Sequence, residues 1–283
     1  MTSVTLPIFG QGSQPPEHDG VELDYLQMPQ NMATYTMPQL SVDLNAANLA
    51  SAKAVLQQLL HDLAVFPTQS QANQLTGLDD INRKFIDEVL GEGEVSIICS
   101  GEQETCIQES LLAGVWRLQT INESRQIISD ALDVGIIPQQ LAQTAFNNAA
   151  EKIDTHWTEL PLGVMNSPPL LAELNAKIAQ YRQSRQTHTI NLSLLPQTEQ
   201  DLMFLTQRLG TGTTTILSRG YGNCRISATA TQFVWWVRYY NSQDILILNT
   251  LEVCDVPSVA CASPEDIVDS HQRLQEIMAV YKL

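Results

Sequence analysis

An internal repeat constrains this 283-residue chain more than any other feature of its sequence. With a constant offset of 119 residues and no gaps, the matching positions include Leu90-Gly91 with Leu209-Gly210, Gly93 with Gly212, Ile97 with Ile216, Gly101 with Gly220, Val115-Trp116 with Val234-Trp235, and Pro138 with Pro257. Glycine and proline impose particular backbone conformations and tryptophan fills a large volume, so these residues are the least interchangeable. The repeat therefore predicts two diverged copies of one structural unit.

Each copy shows the residue periodicity of an α+β unit. A helical pattern starting at Leu49 stops before Pro67, its counterpart begins near Pro169, and a second helix precedes each glycine pair, over 79–90 and 198–209. Three strand-like runs follow in each copy, over 94–99, 105–121 and 125–136, and over 213–218, 223–240 and 244–256. Their short connections favour antiparallel neighbours. A final helix is clearest after Ser263, and residues 188–194 alternate like an added strand.

The pattern predicts an α+β fold in which two tandem repeats of a helix–helix–three-stranded antiparallel β–helix module are related by a pseudo-twofold axis. We assign residues 48–160 to the first repeat and 161–283 to the second. Residues 1–47 contain five prolines and no helical period, but their second half is apolar. We expect that segment to form an extended N-terminal arm packed over the modules, preceded by about twenty mobile residues.

Charge and hydropathy exclude several kinds of partner. The formal net charge is −16, and the fifteen lysines and arginines do not cluster, so we expect neither nucleic acid nor anionic membranes as partners. The apolar runs are far shorter than the roughly 20 residues that cross a bilayer, and residues 1–20 do not resemble a secretion signal. We therefore expect a cytoplasmic protein that does not associate with membranes.

Catalytic and cofactor motifs are absent from the sequence. The Gly-x-Gly pairs follow a helix and precede a strand, the reverse of a dinucleotide fingerprint, which favours turns over a phosphate site. The five histidines are scattered, and no nucleophile or metalloprotease motif occurs. The five cysteines form no C-x-x-C pair, which favours buried thiols over a disulfide framework or zinc site. We predict a binding or assembly factor with no enzyme activity and no resident cofactor.

The long middle run of each copy differs on one face. Side chains alternate along a strand, which places Trp116 and Trp235 on the predicted core face. The opposite face has Glu109, Arg117 and Gln119 in the first copy, but Ala228, Trp236, Arg238 and Tyr240 in the second. Tryptophan, tyrosine and arginine are enriched in protein–protein hot spots. This face is either a partner surface or a surface covered by the N-terminal arm or the other module.

The segment 218–225 concentrates unusual residues in an acidic protein. Arg219 and Arg225 flank two glycines, Tyr221 and Cys224. Nearby arginines would lower the pKa of the Cys224 thiol and favour a reactive or metal-binding thiolate. The alternative is a tight hairpin whose arginines pair with local carboxylates.

The second-copy residues Arg219–Ile226, Val234–Val237, Tyr240–Ser242 and Leu248–Val253 resemble the HupH/HyaF hydrogenase expression/formation family. Gly91–Val95 and Gly114–Arg117 are similar to its first-copy signature, and Met28-Pro29 with Met32–Thr34 to its N-terminal arm. The resemblance extends from about Val21 to the C-terminus.

The resemblance implies an accessory role in maturing [NiFe] hydrogenases, with the immature iron–sulfur small subunit and other maturation proteins as partners. We expect the chain to bind that subunit as a chaperone before export; the alternative is an iron–sulfur or metal carrier that uses Cys224. The predicted partner-binding residues are Arg219, Tyr221, Asn223, Cys224, Arg225, Trp236, Arg238, Tyr240, Asn241, Asn249 and Glu252.

Overall fold

A computed structural model describes residues 49–68, 72–220 and 222–281 of the chain. The predicted N-terminal arm and Tyr221 lie outside the described residues. The described helices are α1 (Ala50–Val65), α2 (Asp80–Leu90), α3 (Gln139–Thr144), α4 (Ser167–Ser184), α5 (Glu199–Leu209) and α6 (Pro264–Val280). The described strands are β1 (Asn73–Gln74), β2 (Val95–Cys99), β3 (Glu104–Glu109), β4 (Val115–Ile121), β5 (Ile127–Val134), β6 (His188–Asn191), β7 (Thr214–Ser218), β8 (Asn223–Ala228), β9 (Val234–Tyr240) and β10 (Leu246–Val253).

All ten described strands join one antiparallel sheet, so the protein has an α+β fold. The strand order is β1-β5-β4-β3-β2-β7-β8-β9-β10-β6. The first and second halves of the chain meet where β2 pairs with β7, and Ile97 is the direct partner of Ile216 at the middle of that pairing. These two isoleucines are also 119 residues apart, so the junction of the sheet coincides with matched positions in the sequence.

The predicted three-stranded runs are wrong, because each half contributes a four-stranded meander. The middle run of each half is interrupted by a five-residue turn, over 110–114 and 229–233. In the first turn Ser110 Oγ accepts the Leu112 backbone N–H (3.0 Å), and in the second Thr229 Oγ1 accepts that of Thr231 (3.2 Å). The turns close at Gly114 (φ +76°) and Phe233 (φ +66°). A phenylalanine at positive φ is an uncommon turn residue, so this break could not be predicted from the residue types alone.

The predicted helix starts are confirmed by their caps. Asp79 accepts the backbone N–H of Asn82, and Thr198 forms a capping box with Asp201. Ser263 accepts the backbone N–H of Asp266, with proline at the first position of α6. These side chains satisfy amide groups that have no partner within their helices. The alternating run at 188–194 is partly confirmed, since β6 ends at Asn191 and a 3-10 helix occupies Leu192–Leu194.

Two hydrophobic clusters hold the helices against the sheet. The larger one contains Trp116 and Trp235, which are both fully buried, as predicted for the core face. The smaller one packs α4 and α5 against β9 and β10 and includes Trp236. Among the described helices there is none whose length and apolar character would let it cross a bilayer.

Candidate arginine–aromatic surface on strands β8 to β10

Six of the predicted partner-binding residues lie on one face of strands β8, β9 and β10. Residues that face each other across an antiparallel pair project from the same side of the sheet. The cross-strand pairs Asn223 with Tyr240, Arg225 with Arg238, and Arg238 with Asn249 are direct neighbours. Because Trp236 alternates in phase with Arg238, it belongs to the same face. We call these residues the arginine–aromatic surface: Asn223, Arg225, Trp236, Arg238, Tyr240 and Asn249.

The two arginines of this surface stack on its two aromatic rings. The Arg225 guanidinium carbon lies 4.8 Å from the centre of the Tyr240 ring, and that of Arg238 lies 4.7 Å from the Trp236 ring. A cation over an aromatic face is attracted by the ring's quadrupole, by about 0.5–2 kcal/mol depending on desolvation. Both arginines are half-buried and directly opposite each other across the strands. The stacking therefore holds two positive charges side by side on a protein of net charge −16.

Trp236 is an interior residue of this surface, which corrects the expectation of an exposed aromatic face. Its side chain is 5% exposed and packs in the smaller cluster with residues of α4 and α5. Its indole Nε1 donates to Asn249 Oδ1 at 2.6 Å, and the Asn249 backbone N–H donates to Ser193 Oγ at 2.8 Å. Tyr240 is also buried. The aromatic rings thus support the arginines from beneath, and neither ring forms an open contact surface.

Cys224 and Glu252 project from the opposite face of the sheet, away from Arg225. Burial raises the pKa of the Cys224 thiol to about 12, a bond with Tyr239 opposes the shift only in part, and nearby Glu252 adds to it. Burial also raises the pKa of Glu252. The expectation of a low thiol pKa is therefore wrong, because strand alternation separates Cys224 from the arginine that follows it.

Arg219 lies at the junction of the two halves. Its backbone N–H donates to the Glu94 carbonyl (3.1 Å), and its guanidinium Nη2 donates to the Gly93 carbonyl (3.3 Å). At the next residue, Gly220, any added Cβ would collide with the Glu94 carboxylate. That carboxylate ends an exposed, flexible side chain that can move aside, so the two hydrogen bonds of Arg219 hold the turn after β7 against the start of β2. Tyr221 lies outside the described residues.

Asn241 has a turn-forming arrangement between β9 and β10. Its Oδ1 accepts the backbone N–H groups of Gln243 (2.8 Å) and Ile245 (3.0 Å). Asn122 makes the matching bonds to Ser124 (3.0 Å) and Gln126 (2.9 Å) between β4 and β5. An asparagine that bonds to the backbone two residues ahead stabilises a tight turn. These contacts explain why asparagine occurs at both positions.

Glu109 is a notable acid that the sequence analysis placed on the wrong face. It pairs with Trp116 across β3 and β4 and therefore lies on the core side, because the turn between those strands interrupts the alternation. Burial raises its pKa to about 7, the Gly114 backbone N–H partly opposes the shift, and Glu94 and Asp266 add to it. A continuous strand over 105–121 places Glu109 on the face opposite to Trp116, so the sequence had no signal for this residue once the turn was missed.

The thiols of the second half do not gather into a metal site. Burial raises the pKa of Cys254 and raises that of Cys261 to about 11, with Glu252 and Glu109 respectively as the next causes. Metal binding requires the thiolate, which these surroundings disfavour. Within residues 49–68, 72–220 and 222–281, no group of three or more histidines, cysteines or acids is placed to hold a metal ion.

Comparison with known proteins identifies relatives over nearly the whole chain. The family described as "HupH hydrogenase expression protein, C-terminal conserved region" matches twice, over residues 49–158 and 164–281. The chain is 43% identical to hydrogenase expression/formation protein HoxQ of Cupriavidus necator over 282 residues, 98% of each chain. It is 32% identical to hydrogenase-1 operon protein HyaF of Escherichia coli strain K12, over 98% of this chain and 96% of that one. A solved structure of hydrogenase expression protein HupH from Thiobacillus denitrificans is 30% identical and has a TM-score of 0.39, with 41% of this chain and 96% of that chain covered.

Proposed function

The chain belongs to the HupH hydrogenase expression protein family, and from this premise we propose that it binds the immature iron–sulfur small subunit of a [NiFe] hydrogenase as a chaperone before export. A role in hydrogenase maturation follows from the names of the relatives. The observation that carries the proposal is the length of the match, which covers 98% of this chain and 98% of HoxQ. A relationship of that extent includes both halves of the sheet and leaves no unmatched domain in which to locate a separate activity.

A binding role without catalysis is the simplest use of the geometry described above. The arginine–aromatic surface offers two fixed guanidinium groups, and burial on the opposite face raises the pKa of the Cys224 thiol and of the Glu252 carboxyl. Arginines whose side chains are pre-positioned by stacking lose little conformational entropy when they bind a partner's carboxylates. We therefore infer that Arg225 and Arg238 contact the partner, and that Trp236, Tyr240 and Asn249 position them.

The duplication is part of the same proposal. Two separate matches to one family region, together with a strand order that reads similarly from both edges of the sheet, support two repeats with the predicted boundaries near residue 160. In this proposal the first repeat acts mainly as a scaffold, and the second repeat carries the partner surface. The iron–sulfur carrier alternative gains no support, since Cys224 is buried and its pKa is raised.

Affinity capture tests the proposal directly. The tagged full-length protein, purified from cells that express the hydrogenase, is expected to retain the small-subunit precursor but not the mature subunit. The double charge reversal Arg225→Glu with Arg238→Glu is expected to reduce retention at least tenfold, or about 1.4 kcal/mol. Lys177→Glu is the matched control, because this half-buried residue on α4 contacts only Gln180 among the bonds described.

The two results have separate meanings. If the wild-type protein fails to retain the precursor, the chaperone function is wrong. If retention survives the double reversal while the variant remains folded by circular dichroism, the function stands and the arginine–aromatic surface is not its contact site.

A further inference from the structure

Besides Leu160, five exposed apolar side chains lie on the segment before α4, on the segment before α5 and on α5 itself. Leu162 is 98% exposed, Leu194 81%, Met165 70% and Met203 66%, and Leu195 is also exposed. We call these five residues the leucine–methionine patch. Single exposed apolar residues are normal on a protein surface, whereas neighbouring ones indicate an interaction site. Hydrogen bonds around Asp201 bring the segments that carry these five residues together.

The buried carboxylate of Asp201 joins the segments that carry the patch. Asp201 Oδ1 accepts the backbone N–H groups of Met165, Asn166 and Ser167, each at 2.9 Å. Asn166 Nδ2 donates to the carbonyl of Pro196 at 2.6 Å, which ties the Met165 loop to the residue after Leu195. All three segments therefore converge at one carboxylate.

The loop before α4 also packs directly against α5, at Gly163. Thr198 Oγ1 donates to the Gly163 carbonyl at 2.8 Å, and a Cβ added at Gly163 would lie 3.2 Å from the Gln200 side chain. Met203 follows Gln200 by three residues and so lies on the same side of α5. Leu162, adjacent to Gly163, therefore lies beside the helix face that carries Met203.

The backbone beneath the patch is firmly fixed, whereas its side chains are adaptable. The pKa of Asp201 is lowered to about 2: its burial acts to raise the pKa, but the amide groups of Ser167, Met165 and Thr198 outweigh that effect. A carboxylate that accepts several amide hydrogens anchors its loop strongly. Methionine and leucine side chains repack easily and suit partners of variable shape. A fixed frame with adaptable side chains is suited to binding segments of differing sequence.

Charge indicates what kind of segment fits this patch. Residues 158–171 and 191–209, which carry it, contain Glu159, Glu199 and Asp201 and one cation, Arg208, which pairs with Asp154 at 3.4 Å. Glu159 and Glu199 are exposed. A complementary partner has lysine or arginine beside its apolar side chains. The chain's own residues 1–48 contain five acidic residues and no lysine or arginine, so they match this surface poorly.

Met203 has no apolar counterpart on α2 of the first half. The residue 119 positions before it is Lys84, which pairs with Glu88 at 3.8 Å. The Met203 part of the patch is therefore specific to the second half among the described residues.

We propose that the leucine–methionine patch docks an apolar segment of a partner protein that carries lysine or arginine and is exposed before that partner folds. The proposal rests on the proposed chaperone function, and it identifies the class of segment that such a function would bind. It adds a second surface, separate in sequence from the arginine–aromatic surface, with the opposite charge preference.

Fluorescence anisotropy with two synthetic peptides tests the docking. One labelled 18-residue peptide has a helical pattern of leucine and lysine, and the other replaces every lysine by glutamate. The full-length protein is expected to bind the lysine peptide at least tenfold more tightly. Met203→Lys and Leu194→Ser are expected to weaken that binding about tenfold or more, because they remove apolar contact area and, in the first case, add a positive charge. Equal affinity for both peptides, or unchanged binding by both variants, would overturn the proposal.

Ile81→Gln is the matched control. Ile81 is 53% exposed on α2, and the residue 119 positions later is Gln200. Peptide binding should be unchanged in this variant, and an equal loss would show that general hydrophobicity explains the result. Sedimentation at the same protein concentrations checks for a second copy of the chain; a dimer that Met203→Lys dissociates would assign the patch to self-association and overturn the proposal.

Capture of the small-subunit precursor separates this inference from the proposed function. If both patch variants retain the precursor and the lysine peptide as well as the wild-type protein does, only the docking proposal fails. If the wild-type protein binds the lysine peptide as expected but never retains the precursor, the patch stands and the proposed function fails.

Discussion

Strand β4 of the first half and strand β9 of the second carry different contacts on the same side of the sheet. On β4 the contacts are ionic, and on β9 they are aromatic. Arg117 Nε and Nη2 donate to the buried carboxylate of Asp130 at 3.0 and 2.9 Å, and Arg83 of α2 donates to it at 3.0 Å. Arg117 also pairs with Asp87. The residues 119 positions later than Arg117 and Asp130 are Trp236 and Asn249, joined by one neutral hydrogen bond. An ionic cluster in one half thus corresponds to an aromatic contact in the other.

The difference shows where each half can interact with other molecules. In the first half the charged groups neutralise one another, and little charge remains for a partner. In the second half Arg225 and Arg238 replace Cys106 and Gln119, and they stack on rings. The second half thus holds these guanidinium groups against aromatic rings, whereas the first half holds its guanidinium groups against carboxylates. The same face of the sheet therefore serves stability in one half and, we propose, recognition in the other.

The largest expected effect comes from breaking the ionic cluster. Asp130→Ala removes the shared carboxylate and leaves two arginines without it, which should lower the free energy of unfolding by about 3–5 kcal/mol. Urea denaturation at pH 7 measures the change. Asn249→Ala, at the matched position, should cost about 1–2 kcal/mol because only neutral hydrogen bonds are lost. Equal costs would contradict the comparison.

Glu109 should make stability depend on pH in the first half, where the second half has Ala228 at the matching position. Its pKa in the folded protein, about 7, is above the ordinary value of 4.5. Its contribution to stability is therefore fully present below about pH 4.5 and is lost as the pH rises through 7. Glu109→Gln keeps an acceptor for the Gly114 amide and should raise the free energy of unfolding by up to about 3 kcal/mol at pH 8. Wild-type and variant curves that stay parallel from pH 4.5 to 8 would contradict this.

Asp201→Asn introduces the residue found at the matching position, Asn82. The loss of a carboxylate that accepts several amide hydrogens should cost about 2 kcal/mol at pH 7. Because the pKa of Asp201 is lowered to about 2, its contribution is present above about pH 4 and disappears as the pH falls towards 2. Thermal unfolding at pH 7 and at pH 2.5 should therefore show a difference from wild type that shrinks at the lower pH. A difference that grows on acidification would exclude this role.

Arg238→Gln has the smallest expected effect on stability, about 0.5 kcal/mol or less, because the first half has Gln119 at that position. We expect retention of the small-subunit precursor to fall several-fold nevertheless, as measured by quantitative capture. A variant that loses stability by several kcal/mol but retains the precursor fully would reverse the roles assigned here.

Local signals in the sequence predicted the parts of the fold that depend on neighbouring residues. Asp79, Thr198 and Ser263 lie at helix starts, where their side chains satisfy free amide groups, and all three were identified. The buried tryptophans Trp116 and Trp235 followed from the repeat. The five-residue turns did not, because Phe233 gives no hint of a positive φ, and the missed turns then misplaced Glu109 and Ala228 on the wrong face.

The candidate site shows the same division between local and long-range information. Alternation along one strand correctly placed Trp236, Arg238 and Tyr240 together, since that relation needs no tertiary knowledge. The burial of Trp236 depends on α4 and α5, which pack onto β9 from elsewhere in the chain. The raised pKa of Cys224 depends on burial and on Glu252 of another strand. The leucine–methionine patch could not be predicted from the sequence, because the hydrogen bonds to Asp201 join segments more than 30 residues apart.

The five-residue pairing of β2 with β7 covers the strand edge at which each half would otherwise end. Either half on its own would end in a bare strand, with a row of unbonded amide and carbonyl groups that invites association with any similar strand. Covalent linkage gives each half a permanent neighbour at effectively very high local concentration. Joining the two halves thereby removes two exposed strand edges, and the edges that remain in the described sheet are the short strands β1 and β6.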